Sequence, residues 1–203
     1  MNTSSWPFAA LLAFVAGFVD TVGFIGLFGL FTAHVTGNFV LIGASMAGSA
    51  TGVLAKVLAL PVFILAVALT ALYASHCEKR ARGAAPAVLV AQIVLLGAFL
   101  AAGIAFAPFT DGNQPLAILT GMIGVAAMAV QNAAGRTVFS ALSPTTVMTG
   151  NVTQVVIDLA VGNEGRSARL AKMVPPVAAF AFGAIGGGIG FAWIGYWSLS
   201  LPS

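Results

Sequence analysis

The sequence predicts an all-α polytopic membrane protein that contains two internal repeats joined by a connecting helix. The chain of 203 residues is 60% hydrophobic and only 6% charged, whereas soluble domains carry about 25% charged residues. Its longest apolar stretches can cross the ~30 Å hydrocarbon core of a bilayer. The tripeptide Thr-Gly-Asn occurs at residues 36–38 and again at 149–151, each time inside apolar chain. These observations favour a single transmembrane domain over residues 1–203.

The composition also excludes several classes of protein. So few charges cannot cover a water-facing surface, and the mean hydropathy of +1.04 agrees with a chain that lies in lipid. Although the net charge is +3, no basic run is interleaved with aromatic residues, so we expect no nucleic-acid partner. The single cysteine, Cys77, excludes an intramolecular disulfide and a cysteine-based metal cluster. We expect neither a metal nor a cofactor.

The first repeat is predicted over residues 6–76. It contains a span, a short extended run, the first Thr-Gly-Asn, a half-helix and a second span. These elements cover residues 6–30, 31–35, 36–38, about 39–47 and about 54–75. Thr, Gly and Asn favour helix starts, because their side chains or bare backbone satisfy the first free N–H groups. Pro61 predicts a kink in the second span.

A basic loop, residues 78–85, leads to the connecting helix over about 86–106. The second repeat, predicted over residues 115–197, then follows the order of the first. Its span, extended run, Thr-Gly-Asn, half-helix and final span cover residues 115–135, 144–148, 149–151, 152–161 and about 176–197. A second basic loop is predicted between the last two elements, and it carries Arg166, Arg169 and Lys172.

The distribution of positive charge distinguishes two topologies. If each half-helix dips into the membrane and returns, seven of the eight Lys and Arg residues fall on one side and only Lys56 on the other. If each half-helix crosses, this bias disappears. The positive-inside rule favours the returning arrangement, with loop 78–85 in the cytoplasm and the repeats inverted. The length of an extended run plus a half-helix, which nearly spans the core, favours the crossing arrangement.

The two half-helix starts are the candidate site for a solute. Free N–H groups and the helix dipole place about half a positive charge at a helix N-terminus, so two such ends in one cavity would attract an anion or a polarised solute. The candidate contacts are Thr36, Gly37, Asn38, Thr149, Gly150 and Asn151. The alternative is that these residues cap the half-helices and contact nothing else.

Asp20 lies inside the first span, where a carboxylate costs several kcal/mol unless it is paired, protonated or in contact with water. It is either a proton-coupling residue or a structural acceptor for a half-helix N-terminus. Gln131 and Asn132 lie at about the equivalent depth in the second repeat. His34 either titrates beside the cavity or hydrogen-bonds to backbone. Asp158 is expected to face the cytoplasmic loop or Arg136, and Gln92 to bridge helices.

Two pairs of motifs resemble the YoaK-like family of small bacterial membrane proteins. Residues 16–20 with 31–38 resemble the first pair, and residues 128–133 with 145–151 resemble the second. The resemblance implies a multi-pass protein of the bacterial inner membrane and gives no activity. The extended run and half-helix are also similar to the cores of sulfate permeases and nucleobase transporters, which are about twice as long. That likeness would favour crossing half-helices and completion of the core by dimerisation.

We expect a secondary transporter of a small anionic or polar solute, bound between the half-helix N-termini near the bilayer midplane. A passive channel and a non-transporting scaffold or partner-binding protein are the alternatives. No Ser-His-Asp set, metal-binding histidine pair, Walker loop or dinucleotide fingerprint is present, so we do not expect an enzyme. The expected partners are the solute, the bilayer and a second copy that packs through Gly183, Gly187 and Gly190.

Overall fold

The protein is all-α in the computed structural model, which describes residues 6–48, 51–162 and 165–202. No β-strand occurs in these ranges. The helices are α1 (Trp6–Gly26), α2 (Gly37–Met46), α3 (Val53–Lys79), α4 (Ala85–Phe106), α5 (Pro115–Arg136), α6 (Met148–Val161) and α7 (Arg166–Ile194), followed by a 3₁₀ helix over Gly195–Ser200. Five of them, α1, α3, α4, α5 and α7, are long and apolar enough to cross a membrane. The predicted polytopic all-α fold is confirmed.

Helices α1 and α7 pack backbone against backbone and run in the same direction. A Cβ atom at Gly183 would overlap the Phe14 carbonyl, and one at Gly187 would overlap the Phe18 carbonyl. The residue numbers therefore rise together along both helices. Because α1 covers Gly183 and Gly187, the close approach predicted from the glycine-rich face occurs within the chain, with Gly190 against Ser198. A homodimer would need a different surface.

A second parallel pair consists of α3 and α5, with α4 packed antiparallel on α5. At the beginning of the pair, the Leu54 N–H donates to Asn113 Oδ1 (3.2 Å). Further along, the second half of α3 lines the same cavity as Ala126 and Val130 of α5. The long helices thus form two parallel pairs, α1 with α7 and α3 with α5.

The bundle has two distinct ends. At one end, which we call the Tyr196 end, the Tyr196 ring lies against Gly26 and Gly103. At the other, here the Arg136 end, Arg136 lines a cavity with Arg82 of the α3–α4 loop. Helix α3 begins at the Tyr196 end, because Lys56 Nζ donates to the Phe28 carbonyl just beyond α1 (2.8 Å).

Each short helix therefore leaves and returns at one end of the bundle. Helix α1 finishes and α3 starts at the Tyr196 end, so the segment containing α2 does not pass between the ends. Helix α5 finishes at the Arg136 end, and the α1–α7 register places the start of α7 there as well. The Phe8 and Phe139 rings, 5.2 Å apart, join the N-terminus of α1 to the segment after α5.

Several predicted boundaries are wrong. Helix α1 stops at Gly26 and not at residue 30, since Phe28 and Gly29 adopt positive φ angles of 56° and 81°. The run 31–35 consists of bends and turns and not of extended strand. Helix α6 starts at Met148, which places Thr149, Gly150 and Asn151 inside its first turn.

The second basic loop predicted from sequence is helical. Helix α7 begins at Arg166, ten residues before the predicted start, and continues through Pro175 and Pro176. Arg, Lys, Ala and Leu are strong helix formers, and they dominate residues 166–172. The connection between α6 and α7 is correspondingly short, because α6 ends at Val161.

Candidate functional site

The Asp20 carboxylate organises the loop between α1 and α2. Its Oδ1 accepts hydrogen bonds from the backbone N–H groups of Thr32 (2.8 Å) and Ala33 (2.7 Å) and from the Thr32 hydroxyl (3.2 Å). Its Oδ2 lies 2.7 Å from His34 Nδ1. Bonds of this kind stabilise an anion at a depth where water is scarce. Asp20 is only 5% exposed, so the loop wraps closely around it.

His34 is the part of this cluster that remains accessible. Its side chain is 29% exposed, and its ring packs edge-on against Phe180 of α7 at 5.4 Å. With Nδ1 against Asp20, the other ring nitrogen, Nε2, points away from the carboxylate. In the described part of the chain Nε2 forms no hydrogen bond. The pair is therefore buried on the carboxylate side and partly exposed on the imidazole side.

The start of α2 is not the free set of N–H groups that the sequence predicted. The N–H groups of Gly37, Asn38 and Phe39 donate to the carbonyls of His34 (2.7 Å), Val35 (3.1 Å) and Thr36 (3.2 Å), in that order. Thr36 has helical φ and ψ angles and forms no side-chain cap bond. The predicted cap is wrong, because tight turns already satisfy these groups.

Asn38 instead reaches back seven residues. Its Oδ1 accepts from the Phe31 N–H (3.0 Å), and its Nδ2 donates to the Phe31 carbonyl (2.9 Å). These two hydrogen bonds close the loop ahead of α2 and use both the oxygen and the nitrogen of the side-chain amide. Asn151 makes the matching contact in the second half, where its Nδ2 donates to the Pro144 carbonyl (2.9 Å). Proline has no N–H, so the second bond of the pair is missing there.

Gln131 connects three helices and a loop. Its Oε1 accepts from Gln92 Nε2 of α4 (2.7 Å), and its Nε2 donates to the Leu12 carbonyl of α1 (2.8 Å) and to the Thr145 hydroxyl (3.1 Å). The predicted bridging role of Gln92 is confirmed. Next to it, Asn132 Oδ1 accepts from the Thr146 hydroxyl (2.7 Å). These bonds hold the segment before α6 in the way that Asp20 holds the segment before α2.

The candidate residues therefore form two groups. The first node consists of Asp20, Thr32, His34 and Asn38, and the second node of Gln92, Gln131, Asn132, Thr145, Thr146 and Asn151. Both touch α1, the first at Asp20 and the second at Leu12. Eight residues of helix correspond to about 12 Å along the axis. In the described residues no hydrogen bond joins the nodes, and α2 packs on α3 whereas α6 packs on α7.

Exposure separates the residues of the two nodes from the other candidate residues beside them. Asp20, Asn38, Gln131 and Asn151 are buried. In contrast, Thr36, Thr149 and Gly150 are exposed, while His34, Gly37 and Asn132 are half-buried. A Cβ atom at Gly150 would meet no other atom within 4 Å, so the first turn of α6 is open to a neighbour. The buried side chains shape the loops, and the exposed residues lie at the surface of the bundle.

Sequence reasoning missed the role of Lys56. It is 1% exposed, and its Nζ donates to the carbonyls of Phe28 (2.8 Å), Thr51 (2.5 Å) and Gly52 (3.5 Å). This lysine ties the end of α1 to the start of α3. The available sequence indication was a lone base at the beginning of a long apolar helix.

Of the two predicted partners of Asp158, it faces a residue of the second basic loop, Arg169, and not Arg136. Its carboxylate forms two bonds of 2.9 Å with the Arg169 guanidinium, and a third comes from Gln154 (3.1 Å). Hydrogen bonding to Arg169 lowers the pKa of Asp158 below its ordinary value. The expectation that Asp158 faces Arg136 is wrong, because α7 begins early enough to bring Arg169 beside α6.

Comparison with known proteins gives a family and no activity. The family model described as "Protein of unknown function (DUF1275)" matches residues 8–203. A relative from Bacillus subtilis (strain 168), "UPF0700 transmembrane protein YoaK", is 30% identical over 151 residues. That match spans 74% of this chain and 65% of the relative, so the chain covers just under two thirds of the relative's length. No solved structure matches the chain.

Proposed function

The chain belongs to the DUF1275 family, as the YoaK-like resemblance predicted, and from this premise we propose that it is a proton-coupled secondary transporter of a small anionic or polar solute. The Asp20–His34 pair carries the proposal. A carboxylate inside an apolar helix is bound to a histidine whose second nitrogen is accessible. Intramembrane acid and histidine groups are typical of proton relays.

We infer that the two halves of the chain are inverted repeats. In support, α1 and α5 run in opposite directions, and so do α3 and α7. Each half also places a short helix at its own end of the bundle, and in each half an asparagine binds the carbonyl seven residues before it. An inverted pair of interrupted segments is a recurring transporter architecture.

The orientation in the membrane follows from the same arrangement. Seven of the eight basic residues lie in segments at the Arg136 end, and only Lys56 lies at the Tyr196 end. The positive-inside rule then places the Arg136 end, with loop 78–85, in the cytoplasm. On this basis α2 re-enters from the outer face and α6 from the cytoplasmic face of a bacterial inner membrane.

We assign solute contact to accessible residues in or next to the two nodes. On the first half these are His34 and Thr36, and on the second half Thr149 and Gly150. The remaining candidates, Gly37, Asn38, Gln131, Asn132 and Asn151, act through the loops that they hold in place. Of the two short helices, α6 is the one with an open first turn. An anionic group of the solute would therefore bind there, and the coupled proton would move at His34.

Proteoliposomes loaded with a pH-sensitive dye test this function. Small candidates such as sulfate, formate, bicarbonate and uracil are added outside, and the internal pH is followed. One of them should move protons with wild-type protein, and His34→Gln should abolish the movement, because glutamine cannot carry the proton. His76→Gln is the matched control. His76 is exposed and lies near the C-terminal end of α3, away from His34, so this variant should behave as wild type.

The same assay separates the alternatives. Uptake that does not saturate and is not accompanied by proton movement, unchanged in His34→Gln, would contradict coupling and indicate a passive channel. Absence of uptake of every candidate, with protein that is folded and correctly inserted, would favour the scaffold alternative.

A further inference from the structure

A groove between α3 and α4 lies apart from both polar nodes. The two helices both pack on α5, and a cavity of about 530 Å³ lies between them. Its walls are apolar, with Leu65, Leu69 and Tyr73 from α3, Ala91 and Leu95 from α4, and Val130 of α5 as the floor. The volume is in the range of cavities that hold small ligands.

A polar cavity, which we call the mouth, lies next to the groove at the Arg136 end. This second cavity, of about 650 Å³, is lined by Ala74, Glu78, Arg82, Ala85 and Arg136. The linings of the two cavities follow one another along each helix. On α3 the lining of the groove reaches Tyr73, and the lining of the mouth starts at Ala71. On α4 the lining of the groove starts at Ala87, and the lining of the mouth reaches Ala85. The two cavities are neighbours at this end of α3 and α4, and together they are called the trough, with an apolar groove and a charged mouth.

The mouth carries one excess positive charge. Arg82 and Arg136 contribute two positive charges, and Glu78 contributes one negative charge. Both arginines are exposed, and within the described ranges neither side chain makes a hydrogen bond or an ion pair. Arginine presents a planar set of donors that matches phosphate oxygens. The mouth therefore has unused groups for an anionic phosphate at the rim of an apolar groove.

We propose that this trough binds an anionic phospholipid, with the phosphate on Arg82 and Arg136 and one acyl chain in the groove between α3 and α4. The site is independent of solute transport, because none of its lining residues belongs to either node. Basic pockets between transmembrane helices are a recognised way of holding lipid headgroups. A transmembrane helix of a second copy would fill the apolar part and leave the two arginines unpaired.

Delipidated protein, titrated with dioleoylphosphatidylglycerol or dioleoylphosphatidylcholine and analysed by intact-protein mass spectrometry, tests the proposal. The wild type should bind phosphatidylglycerol in preference. The double variant Arg82→Gln/Arg136→Gln should lower that affinity by about tenfold or more, as expected for the loss of charge-assisted bonds. Arg80→Gln is the control, because Arg80 belongs to the same loop but does not line the trough, and its affinity should be unchanged.

The apolar part has its own pair of variants. Ala91→Trp fills the groove and should lower binding of phosphatidylglycerol, whereas Ile93→Trp, on the exposed face of α4 outside the groove, should not. Equal affinity for the two lipids, or a double arginine variant that binds like Arg80→Gln, would overturn the proposal. So would a dimer that Ala91→Trp dissociates in lipid-free protein, since a second copy would then occupy the groove. If Ala91→Trp fails to fold, the exposed arginines still decide the result.

Discussion

Asn38 and Asn151 occupy equivalent places in the two Thr-Gly-Asn motifs and differ by one hydrogen bond. Both bind the carbonyl of the residue seven positions earlier, but only Asn38 also accepts from an N–H group. The difference lies in the partner, since Phe31 has an N–H and Pro144 does not. Each asparagine therefore holds a loop in place, Asn38 through two hydrogen bonds and Asn151 through one.

This inequality predicts a difference in stability. Asn38→Ala leaves the N–H donor and the carbonyl acceptor of half-buried Phe31 without partners, and should lower the free energy of unfolding by about 2–6 kcal/mol, at ~1–3 kcal/mol per orphaned group. Asn151→Ala orphans one carbonyl and should cost about half as much. Unfolding in a detergent micelle, followed by helical circular dichroism, measures both. Equal losses in the two variants would contradict the role of the Phe31 N–H.

Asp20 and Gln131 supply hydrogen-bond partners to loop residues, as a neighbouring β-strand or a helix cap does in other proteins. Each supplies a side-chain acceptor or donor to loop segments that have no regular hydrogen-bond partners. In lipid, an unsatisfied backbone group costs several kcal/mol. Non-helical segments at this depth therefore require buried polar side chains, which accounts for their presence in long apolar helices.

Among the elements, the α1–α7 pair is the most closely packed. Gly17, Gly183 and Gly187 allow the two backbones to touch, since a Cβ atom at any of them would overlap backbone atoms of the other helix. Apolar side chains gain little from leaving lipid, so packing of this kind supplies much of the attraction between membrane helices. Both nodes contact α1, so this closely packed pair of helices supports them.

Substitution of a packing glycine should be far more damaging than substitution of an open one. Gly183→Ala inserts a Cβ into the Phe14 carbonyl and should destabilise the protein by at least about 1–3 kcal/mol, the usual cost of overpacking. Gly97→Ala, in α4 with no neighbour within 4 Å, should be neutral or stabilising by up to ~1 kcal/mol, because alanine favours helix. Thermal unfolding of both variants measures the contrast. A tolerated Gly183→Ala would refute direct backbone contact.

At the scale of the whole molecule, the direction of each helix fixes which segments share an end. The α3–α4 loop and the start of α7 lie together at the Arg136 end, and the α4–α5 loop lies at the Tyr196 end. This arrangement collects the basic residues at one end without a long loop, because the two short helices return to the end from which they started.

Labelling with a membrane-impermeant maleimide checks this arrangement. In a Cys77→Ser background, Arg80→Cys and Ser167→Cys should react from the same side of oriented vesicles, and Thr110→Cys from the other. All three positions are exposed. If the segment containing α6 crossed the membrane, Ser167→Cys would react from the side of Thr110→Cys. Labelling of Arg80→Cys from the cytoplasmic side would fix the absolute orientation.

The sequence by itself determined the membrane class, the number of long helices and most of the polar residues of the two nodes, though not Thr32, Thr145 and Thr146. These follow from local composition, since a stretch of apolar residues forms a helix in lipid whatever surrounds it. The isolated polar residues Asp20 and Gln131 were identifiable because burying them without partners is costly. Helix boundaries were less accurate, as the early start of α7 at Arg166 shows.

Only the tertiary structure decided which partners these polar groups have. The Asp20 bonds to residues 32–34, the reach of Asn38 to Phe31 and the Arg169 partner of Asp158 depend on how loops fold back over seven to fourteen residues. Hydrophobic periodicity carries no information on such contacts, because it records which face is apolar and not where a buried donor finds its acceptor. The turns that use the first N–H groups of α2, and so remove them from a solute site, belong to the same kind of information.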